Sequence, residues 1–448
     1  MNKTIRIISL CLLLSFQIRA QQKSGLQWEN LFNGKDLKGW HSLNGHAKYE
    51  AINGELVGTT VLNEPNSFLA TDKEYGDFIL ELEFKVDNSM NSGVQFRSES
   101  NATYMNGRVH GYQMEIDPSA RAWSGGIYDE ARRNWLYPLE YNLSAKKAFK
   151  RDQWNKYRIE CIGTTLRTWV NGIPCAHLID DMTMKGFIAL QVHQVSKPED
   201  AGKQIRFRNI RICTKNLQPS AYDNIFVANL IPNNISAQEK KKGVRLLWDG
   251  VTSNGWRSVN KTTFPDKEWE IKDGVLSVLG KNMGGDIVTT EKYGAIELQF
   301  EFRITEGANS GVKYFVTENE NGQGSLGLEF QVLDDEKHPD AKLGSIGNRK
   351  QGSLYDLVPA IQLDAAKKKI GEWNSGRVVI YPDNKVEHWL NAYKVLDYQR
   401  GSQSFYALVA KSKFEKEKNF GMAPKGYILL QDHGNAVSFR SIKIKLLD

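Results

Sequence analysis

The 448-residue sequence is short of cysteine, of long apolar runs and of helical periodicity, and each shortage removes a class of protein. Of its four cysteines, Cys11 falls in an apolar leader, so the exported chain keeps Cys161, Cys175 and Cys213. An odd set allows at most one disulfide, no two of the three have metal-ligand spacing, and buried free thiols are expected. The longest apolar run, 7–16, is too short to span a bilayer. Lys3 and Arg6 precede it and Ile18-Arg19-Ala20 ends it, so residues 1–20 read as a secretory signal. No later run approaches membrane length, and a soluble protein, secreted or periplasmic, is expected. The formal charge of +7 lies in short groups such as Lys240-Lys241-Lys242 and Lys367-Lys368-Lys369. No basic stripe carries interleaved aromatics, which argues against a nucleic-acid partner.

What the chain does have is itself, twice. Gly111-Tyr112-Gln113-Met114-Glu115-Ile116-Asp117 returns as Gly327-Leu328-Glu329-Phe330-Gln331-Val332-Leu333-Asp334. Each alternates apolar with polar residues, the pattern of a strand with one face on a core. Tyr112, Met114 and Ile116, or Leu328, Phe330 and Val332, would face inward. Gln113 and Glu115, or Glu329 and Gln331, would face the other way, where an amide and a carboxylate on one face can grip vicinal hydroxyls or move a proton. Around this stretch the landmarks recur in order: Gly39-Trp40 and Gly255-Trp256; Asn53-Gly54 and Asp273-Gly274, both hairpin-turn signals; Asn91-Ser92-Gly93 and Asn309-Ser310-Gly311. Then come Tyr128-Asp129 and Tyr355-Asp356, Trp154-Asn155 and Trp373-Asn374, and Leu190-Gln191-Val192-His193 and Leu430-Gln431-Asp432-His433.

Many short strands, Gly-rich turns and almost no helical period predict an all-β chain of two tandem sandwiches, 21–215 and 243–448, joined by a linker at 216–242. One short helix is expected in the second copy, within 404–416, from Phe405, Leu408 and Val409. Trp40, Trp256, Trp154 and Trp373 read as core anchors. Asn91 and Asn309 read as turn-closing residues. His388 shares a face with Val386 and Leu390 and reads as a packing residue.

The set of motifs resembles the 3-keto-disaccharide hydrolase family, also described as 3-keto-glucoside 1,2-lyase/3-keto-2-hydroxyglucal hydratase domains. It covers nearly the whole exported chain, and the second copy is the closer. The resemblance implies two concanavalin-like jelly-roll sandwiches and a substrate that is an oligosaccharide or 3-keto-glycoside. In the implied reaction a base removes the hydrogen next to the sugar ketone, the enolate expels the glycosidic oxygen, and water adds back. A base, a group to hold the oxyanion and a proton donor for the leaving oxygen are then needed. Glu329, Lys313 and His433 are the catalytic candidates. Gln331, Asp334, Tyr355, Asp356 and Gln431 in the second copy, and Gln113, Glu115, Arg97, Tyr128 and His193 in the first, are the substrate-binding candidates. Gln95 stands where the second copy has Lys313, so the two sites cannot work alike. No cofactor is identified with certainty; Asp334, Asp335, His338 and Asp340 within one loop could hold a divalent cation that polarises the ketone. The competing reading is a tandem carbohydrate-binding protein without catalysis, since jelly rolls also host lectins.

Overall fold

The computed structural model describes residues 26–87, 90–319 and 325–447, so the expected signal segment lies outside the described residues. Among the described residues the chain forms two β-sandwiches. The first pairs a nine-stranded sheet with a seven-stranded one, and the second an eight-stranded sheet with a five-stranded one. Almost every pairing is antiparallel, so each strand can bury one face and wet the other. The hairpin turns fall where the sequence places them: Asn53 and Gly54, and Asp273 and Gly274, all have positive φ, as a two-residue turn of this type requires.

Alternation fills both cores. Tyr112, Met114 and Ile116 of His110–Ile116 are fully buried against Val94 and Phe96. Leu328, Phe330 and Val332 of Ser325–Leu333 do the same in the second sandwich. His388 is also interior, its Nε2 2.7 Å from the Tyr314 hydroxyl and its Nδ1 2.9 Å from the Gly352 carbonyl. Burial pushes its pKa down to about 4, which fits a packed neutral imidazole. Cys161, Cys175 and Cys213 are buried free thiols.

A β-bulge interrupts the alternation at one matched position in each repeat. Arg97 (φ 45°) and Phe315 (φ 53°) take the left-handed conformation, and the register shifts beside each. Gly186 and Gly426 on the neighbouring strands make room. A Cβ on Gly186 would come 2.6 Å from the Arg97 carbonyl carbon, and one on Gly426 would come 2.2 Å from that of Phe315.

The sandwiches are not strung on a loose tether. Residues 216–242 contribute the short strand Ala228–Asn229, parallel to Ile173–Ile179, and the helix Ala237–Lys241. Ser236 and Glu239 close a capping box on that helix. Glu239 also accepts from Lys443 Nζ at 2.8 Å, with both side chains 3% exposed, which joins the segment to the second sandwich. Phe226 stacks on Tyr141 of the first repeat and lies beneath Arg377 of the second. Trp40 and Trp256 are core residues as expected. Trp154 and Trp373 are not: they lie half-buried outside the cores, under Arg208 (3.9 Å) and Arg440 (4.1 Å). The helix expected within 404–416 is shorter and earlier, at Gln403–Val409, with Ser402 as its N-cap.

Glu239→Gln leaves the Lys443 ammonium buried without its counter-charge and is expected to cost about 3–5 kcal/mol of stability. Glu239→Gln combined with Lys443→Met, which removes the orphaned ammonium and keeps a capping acceptor at 239, should recover most of that loss. Denaturant unfolding of the three proteins checks it, and equal losses in single and double variants would rule it out.

Candidate active site in the second sandwich

Two neighbouring strands, Asn309–Glu318 and Ser325–Leu333, build the floor of the site. Their register sets Lys313 opposite Glu329 and Gly311 opposite Gln331, all on the face turned away from the core. The third floor strand, Tyr427–Leu430, lies on the other side of Asn309–Glu318 and leads to Gln431 and His433. A pocket of about 340 Å³ opens over this floor, lined by Asn309, Lys313, Glu329, Gln331, Tyr355, Lys413, Gln431 and His433, among others.

The polar groups there are arranged around one carboxyl. Glu329 is 7% exposed, and Lys313 Nζ lies 3.8 Å from its Oε2. With its amide nitrogen facing the carboxylate, Gln331 donates to Glu329 Oε1 at 3.0 Å and to the Ser310 carbonyl at 3.2 Å. Burial raises the Glu329 pKa above the ordinary carboxylate range, while Lys313 and Lys413 pull it back. Gly311 matters by what it lacks, because a Cβ there would come 2.3 Å from Glu329 Oε1. Asp286, also raised by burial, accepts from the Asp432 N–H at 2.9 Å beneath the rim. His433 is exposed at the mouth, its ring 6.0 Å from that of His338.

Of the second-copy candidates, Glu329, Lys313, His433, Gln331, Tyr355 and Gln431 thus meet at one pocket. Asp334 and Asp356 do not line it. Asp334 is a loop cap whose carboxylate accepts from the N–H groups of Gly307, Glu336 and Lys337. Asp356 is an anchor that accepts from Arg349 Nε (2.7 Å) and from the Lys413 N–H (2.8 Å). The four residues considered for a cation are tied to separate partners. Asp335 accepts from the Gln351 N–H, His338 Nδ1 from the Asp340 N–H, and Asp340 from Arg349. Among the described residues no group of three or more His, Cys, Asp or Glu side chains converges as metal ligands.

Sequence reasoning missed Lys413, Phe414 and Glu417, which line the pocket from the segment after helix Gln403–Val409. Lys413 keeps an exposed flank, but its ammonium is drawn over the Tyr355 ring at 4.3 Å. The signal was present: 400–426 has no counterpart in the first repeat, where the chain passes from Ile173–Ile179 to Gly186–Val192 across 180–185.

The matching face of the first sandwich carries the same residue types in another order. Gln95 donates to Gln113 Oε1 (2.8 Å), Gln113 to Glu115 Oε2 (3.0 Å), and Asn91 to Glu115 Oε1 (2.6 Å). Asn91 is therefore a floor residue rather than a turn residue, as Asn309 is in the second pocket. Burial pushes Glu115 up to about 7, against the pull of Asn91, Gln113 and Arg121. Gln191 lies in the same sheet, and its buried Oε1 has no partner among the described residues. Tyr128 donates to Asn134 Oδ1 at 3.1 Å, and the half-buried His193 has its Nδ1 2.8 Å from the Gln194 carbonyl. Arg97 does not reach this face. It sits on the bulge, where alternation fails, and its fully buried guanidinium is spent on the Gly76 and Gly163 carbonyls and on Asp77.

Comparison with known proteins agrees with the duplication. The 3-keto-alpha-glucoside-1,2-lyase-like domain matches residues 27–213 and again 243–445. A 3-keto-disaccharide hydrolase from Bacteroides thetaiotaomicron is 36% identical over an alignment of 233 residues that covers 46% of this chain and 79% of that one. A crystal structure from Parabacteroides distasonis is 32% identical and covers 49% of this chain and all of its own, with a TM-score of 0.43. A Bacillus subtilis protein with a galectin-like fold is 12% identical over 42% of this chain and 95% of its own, with a TM-score of 0.33. With both halves matched, the chain belongs to the 3-keto-alpha-glucoside-1,2-lyase-like domain family and carries two tandem copies of that domain.

Proposed function

We propose that the chain is an exported enzyme that hydrolyses 3-keto-glycosides by elimination and hydration, with the second repeat as its catalyst. The observation that carries this reading is the buried Glu329 with Lys313 at 3.8 Å on the floor of the pocket. The name of the Bacteroides relative supports the substrate class, and the leader at 1–20 supports export.

The chemistry follows from the groups present. A ketone on the third carbon of the sugar acidifies the hydrogen on the second, and Glu329, ionised, is the base that takes it. Its raised proton affinity brings it closer to a carbon acid than an ordinary carboxylate would be. The enolate then expels the glycosidic oxygen from the first carbon, and His433 at the rim supplies a proton to it. Water adds across the resulting double bond. Gln331 orients the carboxylate, and Tyr355, Gln431 and Asn309 offer hydrogen bonds to sugar hydroxyls. In the first repeat the base position is the amide Gln113 and the cation position is Gln95, and both oxygens of Glu115 are already bonded. Those observations favour a non-catalytic role for that repeat.

Glu329→Gln, which keeps the shape of the side chain, is expected to lower kcat for 3-keto-trehalose by about 10²–10⁴. A stopped assay of released glucose reads this, and an unchanged rate would sink the reading. Because only ionised Glu329 can act, kcat/KM should fall with decreasing pH through a value above the ordinary carboxylate range. Lys313 favours the ionised form, so Lys313→Met should carry that acid limb to higher pH. A limb that stays put, or moves down, contradicts the coupling. Gly311→Ala should push the carboxylate off its position and cost on the order of a hundredfold in kcat. Its far-ultraviolet spectrum should be unaltered, and wild-type activity in this variant would show that the floor tolerates a Cβ.

A further inference from the structure

The two lysines at the pocket are held in different ways. Lys313 rises from the floor strand with its side chain 14% exposed, and its charge is already opposed by Glu329. Lys413 reaches in from the segment after helix Gln403–Val409. Among the described residues its ammonium has no carboxylate within ion-pairing distance; it rests over the rings of Tyr355 (4.3 Å) and Phe414 (5.2 Å). What fixes it is the backbone. The Lys413 N–H donates to Asp356 Oδ2, Arg349 Nε donates to Asp356 Oδ1, and Arg349 Nη1 donates to Asp340 Oδ1. Drawing an ammonium out of water without a counter-ion costs free energy. Partial burial accordingly lowers its proton affinity, with Glu329 opposing that from across the pocket.

We propose that Lys413 is the cation that binds the substrate's ketone oxygen and holds the negative charge that collects there during elimination. This assignment rests on the reading of the second repeat as the catalyst. In the step concerned, the hydrogen–carbon bond at the second carbon breaks and the proton goes to Glu329. The electron pair forms the double bond to the third carbon, and the former carbonyl pair settles on the oxygen facing Lys413. When the carbonyl re-forms, the double bond moves to the first and second carbons and the glycosidic carbon–oxygen bond breaks.

The pocket's net charge does not change in the first step: one negative charge passes from Glu329 to the oxygen. Lys313 is placed to steady the charge at its origin, and Lys413 at its destination. A preformed cation at the place where charge develops needs no reorganisation as the reaction proceeds, and this is what makes such groups effective. The first repeat's corresponding connection is only 180–185, so it lacks the segment that carries Lys413; the cation beside its acid is Arg121, 3.5 Å from Glu115 Oε1.

The experiment uses the full-length chain and 3-keto-trehalose, and compares Lys413→Met, Lys413→Arg and Glu329→Gln. Lys413→Met should lower kcat by about 10²–10³ while KM changes by less than about threefold. Added ethylammonium should restore part of that rate, and Lys413→Arg should fall between Met and wild type. Exchange of the second-carbon hydrogen in heavy water, followed by proton NMR, should slow in step with kcat.

If Lys413→Met keeps kcat near wild type while Glu329→Gln does not, the assignment of Lys413 fails and the elimination reading stands. If Glu329→Gln also keeps its rate, that reading fails with it. Loss that neither arginine nor added amine relieves would make Lys413 a strut for the segment after helix Gln403–Val409 and overturn its role.

Discussion

The pairing of Asn309–Glu318 with Ser325–Leu333 is the constraint on which the site depends. Side chains in a sheet alternate with a period of two, so one residue of slip would send Glu329 and Lys313 into the core and bring Phe330 and Val312 out. The buried Phe330 and Val332 forbid that slip, because exposing them would forfeit the core that holds the sandwich together. The floor is thereby positioned by hydrophobic burial on its opposite side. The absence of a side chain at Gly311 leaves room for the carboxylate, which lies too close for any Cβ.

The two repeats share this frame and differ in what stands on it. In the first, the acid has moved to the place of Gln331, and the amides around it bond one another in a chain from Ser98 through Gln95 and Gln113 to Glu115. Both oxygens of Glu115 are engaged in that network, while the buried Gln191 Oε1 has no partner among the described residues. In the second, the acid faces a lysine across the register, and a helix with its following segment adds a wall. A common backbone thus carries a hydrogen-bonded amide network in one repeat and a pocket with opposed charges in the other.

Much of this was legible in the residues. Period-two alternation identified the inward faces, the repeated landmarks identified the duplication, and the company of Val386 and Leu390 placed His388 inside. What local pattern could not carry was anything that breaks the period or depends on contacts far apart in the chain. Arg97 is a binding candidate two residues past Gln95, but the bulge at Arg97 breaks the alternation there and its side chain is buried away from the floor. Asp334 and Asp356 have the composition of binding residues and serve as anchors for backbone and arginine. Trp154 and Trp373 have the composition of core residues and are covered by arginines instead. Lys413 lies in a lysine-rich stretch whose members are indistinguishable until the chain folds that stretch over Tyr355.

The bulge also records a history. Left-handed residues at 97 and 315, each with a glycine facing it from the adjoining strand, are too particular a pair of coincidences to have arisen separately. The distortion is therefore a feature the two repeats hold in common. Gln113 and Glu115 stand against Glu329 and Gln331 on that common scaffold, so the two halves keep the same distortion while exchanging acid and amide beside it.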